Sequence, residues 1–319
     1  MAVPWAEQNS RYTLLFEVFV ISWLKAASIY SVSKQLRLSW TAIDNIMERA
    51  VRRGLADTPI RDTSKLAVDE TSFRKGHDYV TIVSNHLGQV LAVEDGRSKQ
   101  SLARFYQSLD APRRQAIKSI SMDMSPAYQQ STFEHVERAH RKIAFDHFHI
   151  AQVLTKALDE TRKNDMRRAD RSLHHQIHRS RYVWLRQRGS LELSQVRQIK
   201  QLSDTLKDTG LVWYLKEKAR DIWRGYRVKG ARAAWKDWIE LARATEVRAL
   251  VTAASQIEQK LFGILNAMRF RASNGLAEAI NGQVRALKMR SRGFRNKERF
   301  KRAILFHYGG LNMAPNPHG

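Results

Sequence analysis

Every stretch of this chain that reads as β-strand falls between residues 65 and 146, and this confinement limits the fold more than any other feature. Residues 65–70 (KLAVDE) are short and apolar, and residues 79–84 (YVTIVS) form a β-branched run. A turn at residues 85–89 leads into residues 90–94 (VLAVE), so the last two runs pair as a hairpin. Residues 98–109 read as a helix, and residues 117–123 (IKSISMD) as a fourth strand. Ser125 and Pro126 cap and start a helix running to about Ala139, and residues 141–146 (RKIAFD) are the fifth strand. The chain can therefore build one five-stranded sheet, and everything outside it must be helix or loop.

A hairpin followed by helix-linked strands predicts a mixed sheet covered by helices, the layout of ribonuclease-H-like folds. The expected class is α+β: that mixed five-stranded sheet, flanking helices, a large all-helical insertion and an N-terminal helix-turn-helix domain. The N-terminal part reads as helices at 11–25, 29–36 and 40–53, with Ser28 and Ser39 as caps and Gly54 as the residue that ends the third. Two short helices joined by a tight turn match a helix-turn-helix, although a plain three-helix packing module has the same pattern. Thr41, Asp44, Asn45, Glu48, Arg49 and Arg52 are then expected on the outer face, with Asn45, Arg49 and Arg52 as DNA contacts. Residues 55–64 are polar and read as a linker. From 150 to 268 no strand is expected, and Trp184, Trp213, Trp223, Trp235 and Trp238 read as core packing between helices. Residues 273–275 restart a helix through Arg290, residues 292–296 break it, and residues 300–308 form a last apolar segment. The expected domains are 1–60, 61–150, 151–268 and 269–319.

The 319 residues carry 55 Lys+Arg against 31 Asp+Glu, a formal charge of +24 that calls for a polyanionic partner. The surplus is uneven. Residues 61–150 hold 13 basic and 11 acidic side chains, whereas residues 151–319 hold 35 and 15. With no Cys, the chain excludes disulfides, thiol catalysis and thiolate zinc sites. Its longest apolar stretch, residues 14–24, carries Glu17 and is shorter than the roughly 18 residues a membrane span needs. The expectation is a cytoplasmic, nucleoid-associated protein without membrane contact.

Acidic chemistry is to be sought in the near-neutral stretch. Asp69 closes the apolar run 66–68, and Asp123 closes 120–122. In the ribonuclease-H layout the first and fourth strands are neighbours, so the two carboxylates would stand side by side and repel one another unless a cation intervened. Converging hard oxygen ligands suit Mg²⁺ or Mn²⁺, and two such ions about 3.5–4 Å apart can drive phosphodiester displacement. Between Arg269 and Arg302 only Glu278 and Glu298 are acidic, and Glu278 sits among the small residues Ala277, Ala279 and Gly282, which would let its helix pack closely on the sheet. It is the candidate third carboxylate, although a Glu there can simply complement the helix dipole.

At these residues the chain resembles the DDE transposases of bacterial insertion sequences, and among them the ISL3 family. The matching blocks are 3–7 (VPWAE), 38–48 (LSWTAIDNIME), 68–73 (VDETSF), 122–124 (MDM), 145–149 (FDHFH), 274–282 (NGLAEAING), 293–296 (GFRN) and 306–310 (FHYGG). The resemblance implies a catalytic and metal-binding triad of Asp69, Asp123 and Glu278, separated by 54 and 155 residues, with the helical insertion in the longer gap. It implies metal-dependent cleavage and strand transfer on double-stranded DNA, at element ends and target, by a homodimer or higher oligomer. Family members carry a cysteine-rich zinc-binding domain ahead of the VPWAE block, which the resemblance implies this chain lacks.

Further candidates are weaker. Asp146 could be an extra ligand, and His147 or His149 could bond scissile phosphate, against ordinary core packing. Glu70, next to Asp69, should point to the opposite sheet face. Arg290, Arg292, Arg295 and Lys297 follow the Glu-bearing helix and suit phosphate clamping. His174, His175 and His178 read as a solvated basic helix rather than a metal pair. Two other functions fit the same residues: an inactive DNA-binding regulator, and a structure-selective nuclease of the same fold.

Overall fold

In the computed structural model, which describes residues 5–7, 10–57, 62–74, 76–225, 228–272 and 275–314, the chain divides into two units, Met1–Ala139 with Asn274–Gly319, and His140–Ser273. Three helices open the first unit: α1 (Leu14–Ala26), α2 (Ile29–Leu36) and α3 (Trp40–Asp57). Their starts follow local capping, since the Ser28 hydroxyl accepts the Ser31 N–H at 3.1 Å and the Ser39 hydroxyl accepts the Ala42 N–H at 3.1 Å. Arg37 adopts a left-handed conformation (φ 54°) that turns the chain between α2 and α3.

The strands are β1 (Lys65–Arg74), β2 (Asp78–Asn85), β3 (Val90–Asp95), β4 (Ser119–Met122) and β5 (Ile143–Phe145), in the order β3-β2-β1-β4-β5. This is the expected mixed sheet: β1 and β2 pair antiparallel, as do β2 and β3, and β1 runs parallel to β4. β1 is longer than its apolar run suggests. It continues to Arg74 because β2 supplies partners along its whole length, whereas its pairing with β4 stops at Ala67↔Ser121. Asp69 therefore lies within its strand, just past the point where β4 ends, rather than at the strand's own end. Between β3 and β5 come α4 (Lys99–Ser108), α5 (Ala111–Ala116) and α6 (Pro126–His135). The short α5 was not expected; the Asp110 carboxylate caps it by accepting the Arg113 N–H at 2.9 Å. Ser125 makes no side-chain cap on α6, which starts instead on Pro126 at its N-terminus.

After β5 the second unit is helical throughout its described residues: α7 (His147–Arg168), α8 (Arg171–Arg179), α9 (Arg181–Leu185), α10 (Leu193–Thr205), α11 (Lys207–Gly225), α12 (Val228–Ala244), α13 (Arg248–Gln259) and α14 (Leu261–Phe270). Its core contains Trp184, Trp235 and Trp238, all fully buried, with Trp213 and Trp223 packed against them. Two indoles find buried acceptors, Trp184 Nε1 on Ser180 Oγ at 3.1 Å and Trp238 Nε1 on Leu215 O at 2.7 Å. These tryptophans are core, as read. α14 lies against β5 at Gly263, where a Cβ would stand 2.3 Å from the Phe145 ring.

The chain then returns to the first unit as α15 (Gly275–Arg290) and α16 (Lys297–Tyr308), the latter capped by Asn296. Both pack on one face of the sheet, where Ile280, Val284, Leu287, Phe300 and Ile304 bury Phe73, Val80 and Ile82. α4 and α6 cover the other face, where the Tyr128 hydroxyl meets Thr81 at 2.9 Å. The N-terminal helices are not closed on themselves. Val20, Leu24, Ile43, Met47 and Ala50 share a core with Phe306 and Met313 from the far end of the chain. That docking explains two corrections. α3 does not stop at Gly54, which sits inside the helix because a Cβ there would come within 2.7 Å of the Leu311 side chain. Asp44 is not on the outer face. It is 3% exposed and takes Arg299 at 2.9 Å and Arg302 at 3.3 Å from α16. Among the described residues no helix is long and apolar enough to cross a membrane.

Candidate active site

The β1–β4 register sets two carboxylates level. Lys65 pairs with Ser119, Leu66 with Ile120 and Ala67 with Ser121, an offset of 54 residues, which is also the offset from Asp69 to Asp123. Two residues beyond the last pair come Asp69, within β1, and Asp123, the first residue after β4, at the carboxyl end of β4, the edge where open α/β sheets bind ligands. Both are half-buried. The Asp69 carboxylate is held at both oxygens. Oδ1 accepts the Glu70 N–H at 2.8 Å, and Oδ2 accepts the Asn281 side-chain amide at 2.6 Å. Asp123 Oδ1 accepts the Ser125 N–H at 2.9 Å, an Asx turn that fixes the chain leaving β4.

Glu70 follows the alternation and points away from α15, to the face where the Tyr128 hydroxyl donates to its Oε2 at 3.4 Å. Burial, then the negative charges of Asp123 and Asp69, push its carboxyl above the usual range, while Arg97 pulls the other way. Tyr128 is raised as well, chiefly by burial, with the same three carboxylates adding to it. This end of the sheet is thus a place where negative charges meet one another. Its donor set is oxygen only and already strained by like charge, which fits a hard divalent cation.

Glu278 lies in the first turn of α15 and is exposed. Among the described residues no three metal-capable side chains lie close enough to share an ion, so Glu278 does not join the two aspartates here. It does sit one helical turn before Asn281, whose amide touches Asp69. The packing of α15 differs from the expectation for its small residues. Ala277 faces the sheet, but Ala279 is exposed and a Cβ at Gly282 would meet nothing within 4 Å. The packing face is Ala277, Ile280, Asn281, Val284 and Leu287. Asn281 was not singled out from the sequence, although one polar residue on an otherwise apolar helix face was the available signal.

The basic candidates separate by partner. Asn45 is exposed on α3. Arg49 is bound through Nε and Nη2 to Glu17 at 2.8 and 2.6 Å, and Arg52 pairs with Glu7 while remaining 66% exposed. Arg292 and Arg295 are exposed, Arg290 is exposed beside His307 at 3.5 Å, and Lys297 is paired with Asp78. In the second unit, Asp146 is buried with Oδ2 lacking a partner among the described residues. The His147 ring lies 4.7 Å from Trp223, and its burial pulls its pKa down. His149 is half-buried against Phe148. Of the histidines on α8, His174 bonds the Ala169 carbonyl and the other two are exposed.

Comparison with known proteins places these residues in a wider pattern. Residues 66–304 match the family profile for ISL3-type DDE proteins, described as transposase, and residues 1–51 match the helix-turn-helix domain of transposase family ISL3. The chain is 29% identical over 281 residues to the transposase for insertion sequence element IS1001 of Bordetella parapertussis, covering 87% of this chain and 69% of that protein. It is 26% identical over 330 residues to the transposase for insertion sequence element IS1557 of Mycobacterium tuberculosis, covering 93% of this chain and 72% of that protein.

Proposed function

Because the chain belongs to the ISL3 family of DDE transposases of insertion sequence elements, we propose that it cleaves DNA strands at element ends and joins them to target DNA through Asp69, Asp123 and Glu278. The family uses divalent metal ions and binds DNA. The observation that supports Asp69 and Asp123 is the β1–β4 register, whose 54-residue offset is also the offset between them.

Asp69 and Asp123 would hold the cations, two Mg²⁺ or Mn²⁺, with Glu278 completing the set. When bound, the metal supplies activation of the attacking oxygen and neutralisation of charge on the leaving one. The chain's own groups prepare the site. The backbone of β1 and the amide of α15 orient the Asp69 carboxylate, and the Asx turn orients Asp123. Each displacement is in line. Water attacks the phosphorus at the element end and the 3′-oxygen leaves; the freed 3′-hydroxyl then attacks a target phosphodiester, so each step forms one P–O bond and breaks another. No side chain becomes covalently attached to the DNA.

Glu278 is exposed in the first turn of α15 and would complete the set by moving towards the aspartates. Exposed Asn45 and Arg52 on α3 are the groove and phosphate contacts of the helix-turn-helix; Arg49 supports them from its pair with Glu17. Arg290, Arg292 and Arg295 contact phosphate near the site, and Lys297 adds to them by exchanging its pair with Asp78. The phosphate contacts are sequence-independent, so affinity should fall steeply with salt. The active form is a homodimer or higher oligomer on DNA, and the protein works in the cytoplasm.

Asp69→Ala, Asp123→Ala and Glu278→Ala, assayed on a labelled element end and on a pre-cleaved end with target DNA, should each lose cleavage and joining while retaining gel-shift binding. Retained strand transfer by Asp69→Ala would overturn the assignment, and cleavage without joining in the native chain would make it a nuclease.

A further inference from the structure

The buried face of α15 carries Ala277, Ile280, Val284 and Leu287, and among them one polar side chain, Asn281, which is 9% exposed. Its Nδ2 donates to Asp69 Oδ2 at 2.6 Å and reaches the Glu70 carbonyl at 3.3 Å. Its Oδ1 is enclosed and has no partner among the described residues. A buried amide with one satisfied end and one orphaned end is an arrangement proteins avoid unless the satisfied end is needed. Turning the amide over would place Oδ1 against a carboxylate oxygen, acceptor against acceptor, so Asp69 itself dictates which end faces it.

Asp69 is consequently gripped from two directions. The Glu70 N–H on its own strand takes Oδ1, and a helix 212 residues later in the chain takes Oδ2. Held at both oxygens, the carboxylate plane is fixed in its rotation about the side chain. Groups that hold a metal-binding side chain from behind orient it in this way, and their loss typically weakens metal binding about 10–100-fold.

We propose that Asn281 is a positioning residue of the strand-transfer site, holding the Asp69 carboxylate in its ligating orientation. The proposal rests on the reading of Asp69 as a metal ligand. It also gives α15 a second task, because the same helix carries Glu278 one turn earlier: docking α15 through Asn281 sets the distance from which Glu278 approaches.

The test is Mn²⁺ binding to the full chain, followed by the electron paramagnetic resonance of free Mn²⁺, with the half-saturating Mn²⁺ for end cleavage measured in parallel. Asn281→Ala removes the amide and its volume; Asn281→Leu removes the amide and keeps the volume, on a face that is otherwise apolar. Both variants should bind Mn²⁺ about 10–100-fold more weakly and need correspondingly more Mn²⁺ for cleavage, with DNA affinity unchanged. Native Mn²⁺ affinity in Asn281→Leu would overturn the proposal, since volume alone would then suffice. Asp69→Ala separates the two levels of the argument. If it loses Mn²⁺ binding while both Asn281 variants keep it, only the positioning role fails. If Asp69→Ala itself keeps Mn²⁺ binding, the ligand reading beneath it fails.

Discussion

Two groups of carboxylates in the same unit live in opposite surroundings. In the N-terminal helices, Glu17 is fully buried and meets Arg49 and Arg53, while Asp44 is nearly as buried and meets Arg299 and Arg302. At the end of β4, Asp69 and Asp123 come level, and the Glu70 carboxyl beside them is raised by their charges as well as by burial. The first group is neutralised by guanidinium groups within hydrogen-bonding distance, as buried charges must be. The second is oriented by an amide, a hydroxyl and backbone N–H groups, and it concentrates charge. Carboxylates matched with arginine hold the molecule together. At the end of β4, burial and then the charges of Asp123 and Asp69 raise Glu70, and such an oxygen-donor cluster suits a hard divalent cation.

This contrast can be broken by experiment. Glu17→Ala takes from Arg49 its carboxylate partner and from Arg53 one of two, the other being Glu7, and should destabilise the protein by about 3–5 kcal/mol in urea unfolding, as losses of buried ion-pair partners do. A loss below about 1 kcal/mol would show that the Glu17 cluster is no more structural than a surface pair.

A base offers the next largest effect. Burial, with Arg290 adding to it, pulls His307 down to about 4. Its ordinary value is near 6.5, so in the interval between the two the unfolded chain binds the proton and the folded chain does not. Stability conferred by His307 is present above pH 6.5 and is lost as pH falls towards 4, by about 1–2 kcal/mol after allowance for solvent screening. His307→Gln should flatten that part of the stability profile. An unchanged slope would place its origin elsewhere.

The smallest effect has the opposite sign. Glu70→Gln keeps an acceptor for Tyr128 and removes one of three neighbouring negative charges, so the metal-free protein should gain about 0.5–1 kcal/mol, the size of a half-screened charge pair. Destabilisation by this variant would mean that the site carboxylates are compensated much as Glu17 is.

The elements of this fold were legible where their causes are local. Ser28 and the apolar pair Val32 and Leu36 define α2 at its observed ends, and the β-branched runs define β2 and β3 to within a residue. The juxtaposition of Asp69 and Asp123 was also legible, because parallel neighbours in a known strand order bring their chain-distant ends together. Errors arose wherever the cause lay far along the chain. Gly54 looks like a helix terminator from its neighbours, yet it serves the crossing of Leu311 and Met313. Asp44 lies on a polar stripe of α3, and only the docking of α16 makes that part of the stripe an interior. Arg49 has the spacing of a groove contact, and its pairing with Glu17 on α1 is visible only in the fold.

The sequence by itself determined the kinds of element, the surplus of positive charge and the blocks that mark the family. Periodicity, capping and residue chemistry act over a few positions and survive being read as a string. Only the tertiary structure decided which carboxylates meet guanidinium groups and which lie near one another. Asp69 and Glu17 are both acids within apolar runs, and what separates them is the neighbour that packing delivers: an asparagine amide from α15 in one case, two arginines from α3 in the other. Coulomb and hydrogen-bond energies depend on separations of a few ångströms in space, and the fold alone sets those.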